Sequence, residues 1–233
     1  MRASDPAASA TAASATPARP RPAAQGGAVP GTTRIGPNAI TRTVEALALR
    51  LGDAEAAAIL HAATGRTPAT LPVAMVEERE VQALVHAVHG ACGEAVGRDV
   101  LWDAGTRTAD YLRAVRIPRL AQRVIAALPR RWGAAMLLRA MGAHAWTFAG
   151  SGRFAYAVGG RGSRRAGDRV LARLQIAACP MCRGLAVREP ACAFYAAAFE
   201  RLLRALVDER VRVREVACEA LGAGACAFEA VIV

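Results

Sequence analysis

Apolar positions recur at helical spacing between residues 38 and 143, and beyond residue 144 the period shortens to simple alternation. In 79–97, Val81, Leu84, Val85, Val88, Cys92 and Val96 form one stripe, the mark of an amphipathic helix. Gly52-Asp53 ends one helix and caps the next, and Pro118 and Pro129 each open a new segment, so four to six helices fit this half. His144 to Phe148 and Phe154 to Val158 alternate and predict two strands, with Gly150-Ser-Gly152 as a hairpin turn between them. Val170 to Ala177 predicts a further strand. In 192–208, Tyr195, Phe199, Leu202, Leu203 and Leu206 share a face opposite Glu200, Arg201 and Arg204, which predicts an amphipathic helix. Val211 to Val216 and Cys226 to Ile232 alternate again, joined by the turn-rich Leu221-Gly-Ala-Gly224. Helices first and strands second predict an α+β fold, a helical layer packed on an antiparallel sheet.

Residues 1–33 carry Ala, Pro, Ser, Thr and Gly with almost no large apolar side chain. Such a composition cannot bury enough surface to offset chain entropy, so a disordered tail is expected there. The remainder, 34–233, reads as one ligand-binding domain with a helical half, 34–143, and a sheet half, 144–233.

The formal net charge is +11, and all 30 basic residues are arginine. They are spread along the chain apart from Arg161, Arg164 and Arg165 in one Gly-rich loop, so the charge favours an anionic ligand or acidic partner over nucleic acid. No run approaches the roughly 20 apolar residues of a membrane span, and the N-terminal segment lacks a signal-peptide core. A soluble, cytoplasmic protein is expected. Five of the six cysteines follow residue 178, and thiols so clustered in a reducing compartment point to metal rather than disulfides.

Trp146, Phe148, Phe154 and Tyr156 on the predicted strands, with Trp102, Tyr111 and Trp132 from the helices, are the candidates for a broad apolar ligand slot. Each taken singly reads as ordinary core. Arg153, Arg161, Arg164 and Arg165 are candidate partners for ligand carboxylates. His86 and His89 lie one turn apart, with His89 nearer the apolar stripe; either could ligate a ligand's metal. No G-x-G-x-x-G following a strand, Walker loop or iron–sulfur cysteine run is found.

Several strings carry a family resemblance. Cys179-Pro-Met-Cys182-Arg-Gly184, Cys192, Arg201-Leu-Leu-Arg-Ala-Leu206, Val213-Arg-Glu-Val-Ala-Cys218 and Gly224-Ala-Cys-Ala-Phe228 make residues 168–233 resemble the 4-vinyl reductase domain of phenol-sensing activators. Upstream, Arg34-Ile-Gly-Pro-Asn38, Asp103 to Leu112 and Arg116-Ile-Pro-Arg119 resemble the BchJ family of bacteriochlorophyll biosynthesis, named for 4-vinyl or divinyl protochlorophyllide 8-vinyl reduction. The resemblance implies a fold shared with nitric-oxide sensors and Golgi trafficking subunits, with a ligand between helices and sheet. It also implies a magnesium tetrapyrrole as ligand or substrate, carried or presented to pathway enzymes. Two alternatives stay open: an 8-vinyl reductase with an external reductant, and a sensor of a small aromatic ligand. A homodimer is compatible with all three.

The metal set follows from the same resemblance. Cys192, Glu215, Cys218 and Cys226, with gaps of 23, 3 and 8 residues, are similar to the family's zinc site. Thiolate and carboxylate both ligate Zn²⁺, and a closed set of four implies a structural ion. The rival set is Cys179, Cys182, Cys218 and Cys226, built on the commoner C-x-x-C knuckle.

Overall fold

The computed structural model describes residues 33–159 and 169–233, together with the backbone of 21–22. Most of the predicted tail and Arg161, Arg164 and Arg165 therefore lie outside the described residues.

Helix α1 (Asn38–Leu51) stops at Gly52, and α2 (Asp53–Thr64) begins at once, as the Gly-Asp pair predicts. An antiparallel pair, β2 (Arg34–Ile35) with β3 (Val76–Glu77), leads into α3 (Glu78–Tyr111). The predicted stripe holds: Val81, Leu84, Val85 and Val88 are buried, and Cys92 and Val96 pack half-buried against the same core. The helix is interrupted at Gly93, whose φ of +73° is non-helical. A single π-turn, 112–116, closes α3. Pro118 and Pro129 then stand immediately before α4 (Arg119–Ala127) and α5 (Arg130–Ala143).

The first predicted strand of the sheet half is a helix. Residues 146–149 form the short α6 (Trp146–Ala149), and Gly150 makes a corner into β4 (Arg153–Val158) instead of a hairpin turn. Five residues of alternation do not discriminate between the two periods. Tertiary contact decides: the Thr147 carbonyl accepts the Gly36 N–H at 2.7 Å, and the Glu78 carboxylate fills the space beside Gly150.

The remaining elements follow the prediction: β5 (Arg169–Ala177), α7 (Ala193–Leu206), β6 (Val211–Ala217) and β7 (Cys226–Ile232). With β1 (Arg21–Pro22) they form an antiparallel sheet in the order β1-β4-β5-β7-β6. Helix α7 lies between this sheet and α3 and is buried almost all round in its first two turns. Gly105 of α3 permits that contact, because a Cβ there would stand 2.1 Å from the Phe194 carbonyl oxygen. The polar edge of α7 is also tied down: Glu200 accepts the Val213 N–H at 2.9 Å, and Arg201 pairs with Asp110 at 2.8 Å.

Candidate metal centre

Five of the six cysteines converge at one end of the sheet. The chain leaves β5 through Ala178, whose φ of +55° lies in the left-handed region that a side chain adopts under constraint. The constraint is visible. The Glu219 carboxylate accepts N–H bonds from Ala178 (2.7 Å) and Cys179 (2.6 Å), and Arg183 donates to the Ala178 carbonyl at 2.6 Å. This turn carries Cys179 and Cys182 inward. Cys192 precedes the first turn of α7, Cys218 directly follows β6, and Cys226 opens β7. Glu215 sits at a bulge in β6: it opposes Phe228 while Ala217 opposes Ala227, so Val216 is the extra residue.

All five thiols are buried. Sγ separations are 3.5 Å for Cys179–Cys192, 3.3 Å for Cys182–Cys226 and 3.4 Å for Cys192–Cys226. Two sulfurs on one tetrahedral zinc, each about 2.3 Å away, stand roughly 3.8 Å apart, so the donors are spaced for one small ion. Glu215 adds a carboxylate. One oxygen accepts the Cys192 N–H at 2.8 Å, and the other is buried with no partner. Burial first, and the neighbouring Cys218 second, push this carboxyl up to about 9. A buried carboxylate oxygen with no donor, aimed among thiols, suits a cation.

The thiols influence one another. Hydrogen bonds from Cys179 and the other thiols draw Cys182 down towards thiolate. Its bond with Cys182 pushes Cys218 up, but bonds from Cys192 and Cys226 outweigh it and bring Cys218 down to about 6. Bonds with Cys179 and Cys182 push Cys192 and Cys226 up.

Two donor sets have all their ligand atoms within 4.8 Å of one another: Cys192, Glu215, Cys218 and Cys226, and Cys179, Cys182, Cys192 and Cys226. The first is the set implied by the family's zinc site. The second differs from the predicted rival in that Cys192 takes the place of Cys218. The cluster can hold a metal ion, and Cys192 and Cys226 belong to both sets.

The seven aromatic candidates do not form one wall. Phe148, Phe154 and Tyr156 join Tyr195, Phe199 and Phe228 in the core, with Phe148 and Phe154 edge-to-face at 5.2 Å and Phe154 and Tyr156 stacked at 6.1 Å. The Tyr195 hydroxyl donates to the Phe148 carbonyl at 2.6 Å, tying α7 to α6. Trp132 and Trp146 are exposed, at 70% and 51%, and Trp102 is exposed at 39%. Tyr111 lies beneath the Arg42 guanidinium, 4.9 Å from the ring centre. Arg153 is exposed on β4.

The two histidines have separate surroundings. His86 Nε2 lies 3.0 Å from the Arg183 carbonyl. Both ring nitrogens of His89 are shielded from solvent and have no hydrogen-bond partner. Desolvation by burial lowers the His89 pKa, which keeps the ring neutral at pH 7.

Sequence reasoning missed the residues that hold the centre in place: Ala178, Glu219, Glu78 and Arg183. Glu78 opens α3 and is buried, accepting bonds from the Ser151 N–H (2.6 Å), Ser151 Oγ (2.9 Å), Gln82 (3.0 Å) and Arg183 (2.8 Å). Glu219 is adjacent to Cys218 in sequence, a signal that was legible; the others have none.

Comparison with known proteins places these features in context. Residues 172–232 match the family model of the 4-vinyl reductase domain. Over 196 residues the chain is 41% identical to the bacteriochlorophyll synthase 23 kDa chain of Cereibacter sphaeroides, spanning 84% of this chain and 89% of that protein. It is 37% identical over 195 residues to the protein of the same description from Rhodobacter capsulatus, spanning 84% and 85%. Among solved structures, the fold matches the phenol-responsive sensory domain of the transcription activator PoxR with phenol, at a TM-score of 0.50 and 16% identity over 67% of this chain and 75% of that one. It also matches an H-NOX protein from S. oneidensis, at a TM-score of 0.50 and 11% identity over 84% and 98%. At such identities the likeness is one of fold, and it agrees with the helical layer and antiparallel sheet expected from the sequence.

Proposed function

Because the chain belongs to the family of the bacteriochlorophyll synthase 23 kDa chain, we propose that it is a bacteriochlorophyll-biosynthesis protein that binds a magnesium tetrapyrrole intermediate and presents it to pathway enzymes. Kinship over 84% of the chain carries this reading. His89 supports the ligand class. The magnesium of a tetrapyrrole has an open axial position, and His89 offers neutral ring nitrogens that no protein group occupies.

The metal of the cysteine cluster is assigned as zinc, held by Cys192, Glu215, Cys218 and Cys226. This set alone uses the unpartnered Glu215 oxygen. A closed four-ligand zinc holds the α7 start, the β6 end and the β7 start together, and no reaction step is assigned to it.

Purified protein titrated with magnesium protoporphyrin should shift the pigment's main absorption band, with a dissociation constant in about the micromolar range. His89→Ala should weaken binding about tenfold or more, since losing an axial ligand leaves only apolar contact. Adding NADPH to a bound divinyl chlorophyllide should leave the vinyl group intact. Conversion to the ethyl product with nothing else added would replace the carrier with an 8-vinyl reductase. Binding of phenol without binding of pigment would favour a sensor.

A further inference from the structure

The charge of this chain is not spread as evenly as its arginine count suggests. Between Asp110 and Asp168 there are eleven arginines and no Asp or Glu. The other 19 arginines equal the 19 acidic residues of the whole chain, so this one stretch accounts for the net charge of +11.

Its described part contains α4 and α5, and both turn apolar side chains to solvent. On α4, Leu120 and Val124 lie one turn apart and exposed, Leu120 at 71%, while Ile125 alone is buried. On α5, Trp132 and Met136 repeat the pattern, and Arg139 falls on the same face by helical spacing. The two helices meet where a Cβ on Gly133 would come within 2.9 Å of the Ile125 carbonyl oxygen, with Leu128 exposed at the corner. Arg119 and Arg123 flank the apolar row on α4. With Arg139 they have no acidic partner among the described residues, whereas Arg130 pairs with Asp208.

We propose that the outer faces of α4 and α5 are a docking surface for an anionic phospholipid bilayer, with Leu120, Val124, Trp132 and Met136 entering the headgroup boundary and arginines contacting phosphates. An apolar row with a tryptophan, bordered by arginine and free of acid, is the composition of an interfacial helix that lies on a membrane without crossing it. No helix among the described residues is long and apolar enough to cross one. Charge decides against the other occupants. A second copy docked face to face would bring unpaired arginines against arginines. Nucleic acid would satisfy the arginines but not the apolar row between them.

The test uses full-length protein with vesicles of phosphatidylglycerol mixed with phosphatidylcholine, and with phosphatidylcholine alone. The protein should sediment with the anionic vesicles at low salt, stay in solution with the neutral ones, and be released at high salt. Tryptophan emission should shift to the blue on binding, and the shift should be lost in Trp132→Phe. Leu120→Glu/Val124→Glu and Arg119→Glu/Arg123→Glu alter exposed positions, so metal content should be unchanged while vesicle binding weakens about tenfold or more. Failure to sediment with anionic vesicles, or undiminished binding by both double variants, would overturn the assignment. So would a dimer in sedimentation velocity that Leu120→Glu/Val124→Glu dissolves without affecting vesicle binding.

Discussion

Glu78 and Arg183 stand 105 residues apart in sequence and form an ion pair at 2.8 Å. The carboxylate opens the longest helix, and the guanidinium follows the second cysteine of the C-x-x-C turn. The same Arg183 donates to the Ala178 carbonyl and to Ser151 Oγ. One contact therefore joins the helical layer, the corner before β4 and the strained turn that carries two thiols inward.

Arg183→Met should destabilise the protein by about 3 kcal/mol, because it leaves the buried Glu78 carboxylate without its cation. Glu78→Gln should cost less, since Arg183 is half-exposed and water can solvate it. A double-mutant cycle by urea unfolding should return a coupling of roughly 1–3 kcal/mol. Additive effects would show that the pair does not hold the turn.

Elemental analysis should find about one zinc per chain. Cys218→Ala should lose it and lower the melting temperature by several degrees, at about 2–4 °C per kcal/mol for a domain of this size. Cys179→Ala should keep the ion. Retention in Cys218→Ala with loss in Cys179→Ala would move the site to the set built on Cys179, Cys182, Cys192 and Cys226.

Asp208 supplies a pH signature remote from the thiols. Side-chain hydrogen bonds from Arg210, then the Arg210 N–H, lower its pKa from 3.8 to about 2, with Arg130 adding to the effect. The folded value is depressed, so the stabilisation is fully present above the unfolded value and lost as pH falls through the folded one. Asp208→Asn should therefore cost about 1 kcal/mol at neutral pH. Its melting temperature should converge on that of the wild type as pH falls from 4 to 2. A gap that stays constant over that window would mean that the carboxylate's charge contributes nothing.

Gly105→Ala should destabilise by about 2–3 kcal/mol or more, as its methyl group would lie 2.1 Å from the Phe194 carbonyl oxygen and force α3 off α7. A fully helical surface position such as Ala126 on α4 gives the contrast: Ala126→Ser should move the urea midpoint very little. Equal shifts in the two variants would mean that α3 and α7 are not in close contact.

The strings that order Cys179 to Cys226, the stripe through Val81 and Val88, and the alternation of β5, β6 and β7 were legible in the sequence. Each is a local pattern written within one element, where side-chain period reports burial. His144 to Phe148 was misread because five residues fit either period, and only the contact of Thr147 with Gly36 makes them a helix. Cys192 could not be placed beside Cys179 from spacing, because the separation of two sulfurs depends on how α7 docks against the β5 turn. The holding roles of Glu219, Glu78 and Arg183 were likewise invisible, since hydrogen bonds between distant segments leave no period in the chain. The acid-free stretch after Asp110 was present in the text all along, but its meaning rests on which side of α4 and α5 faces water. The sequence determines which side chains are available and which local period they follow. Only the packed structure decides which of them lose water together, and that loss gives a buried thiol or carboxylate its need for a partner and an exposed tryptophan its need for a surface.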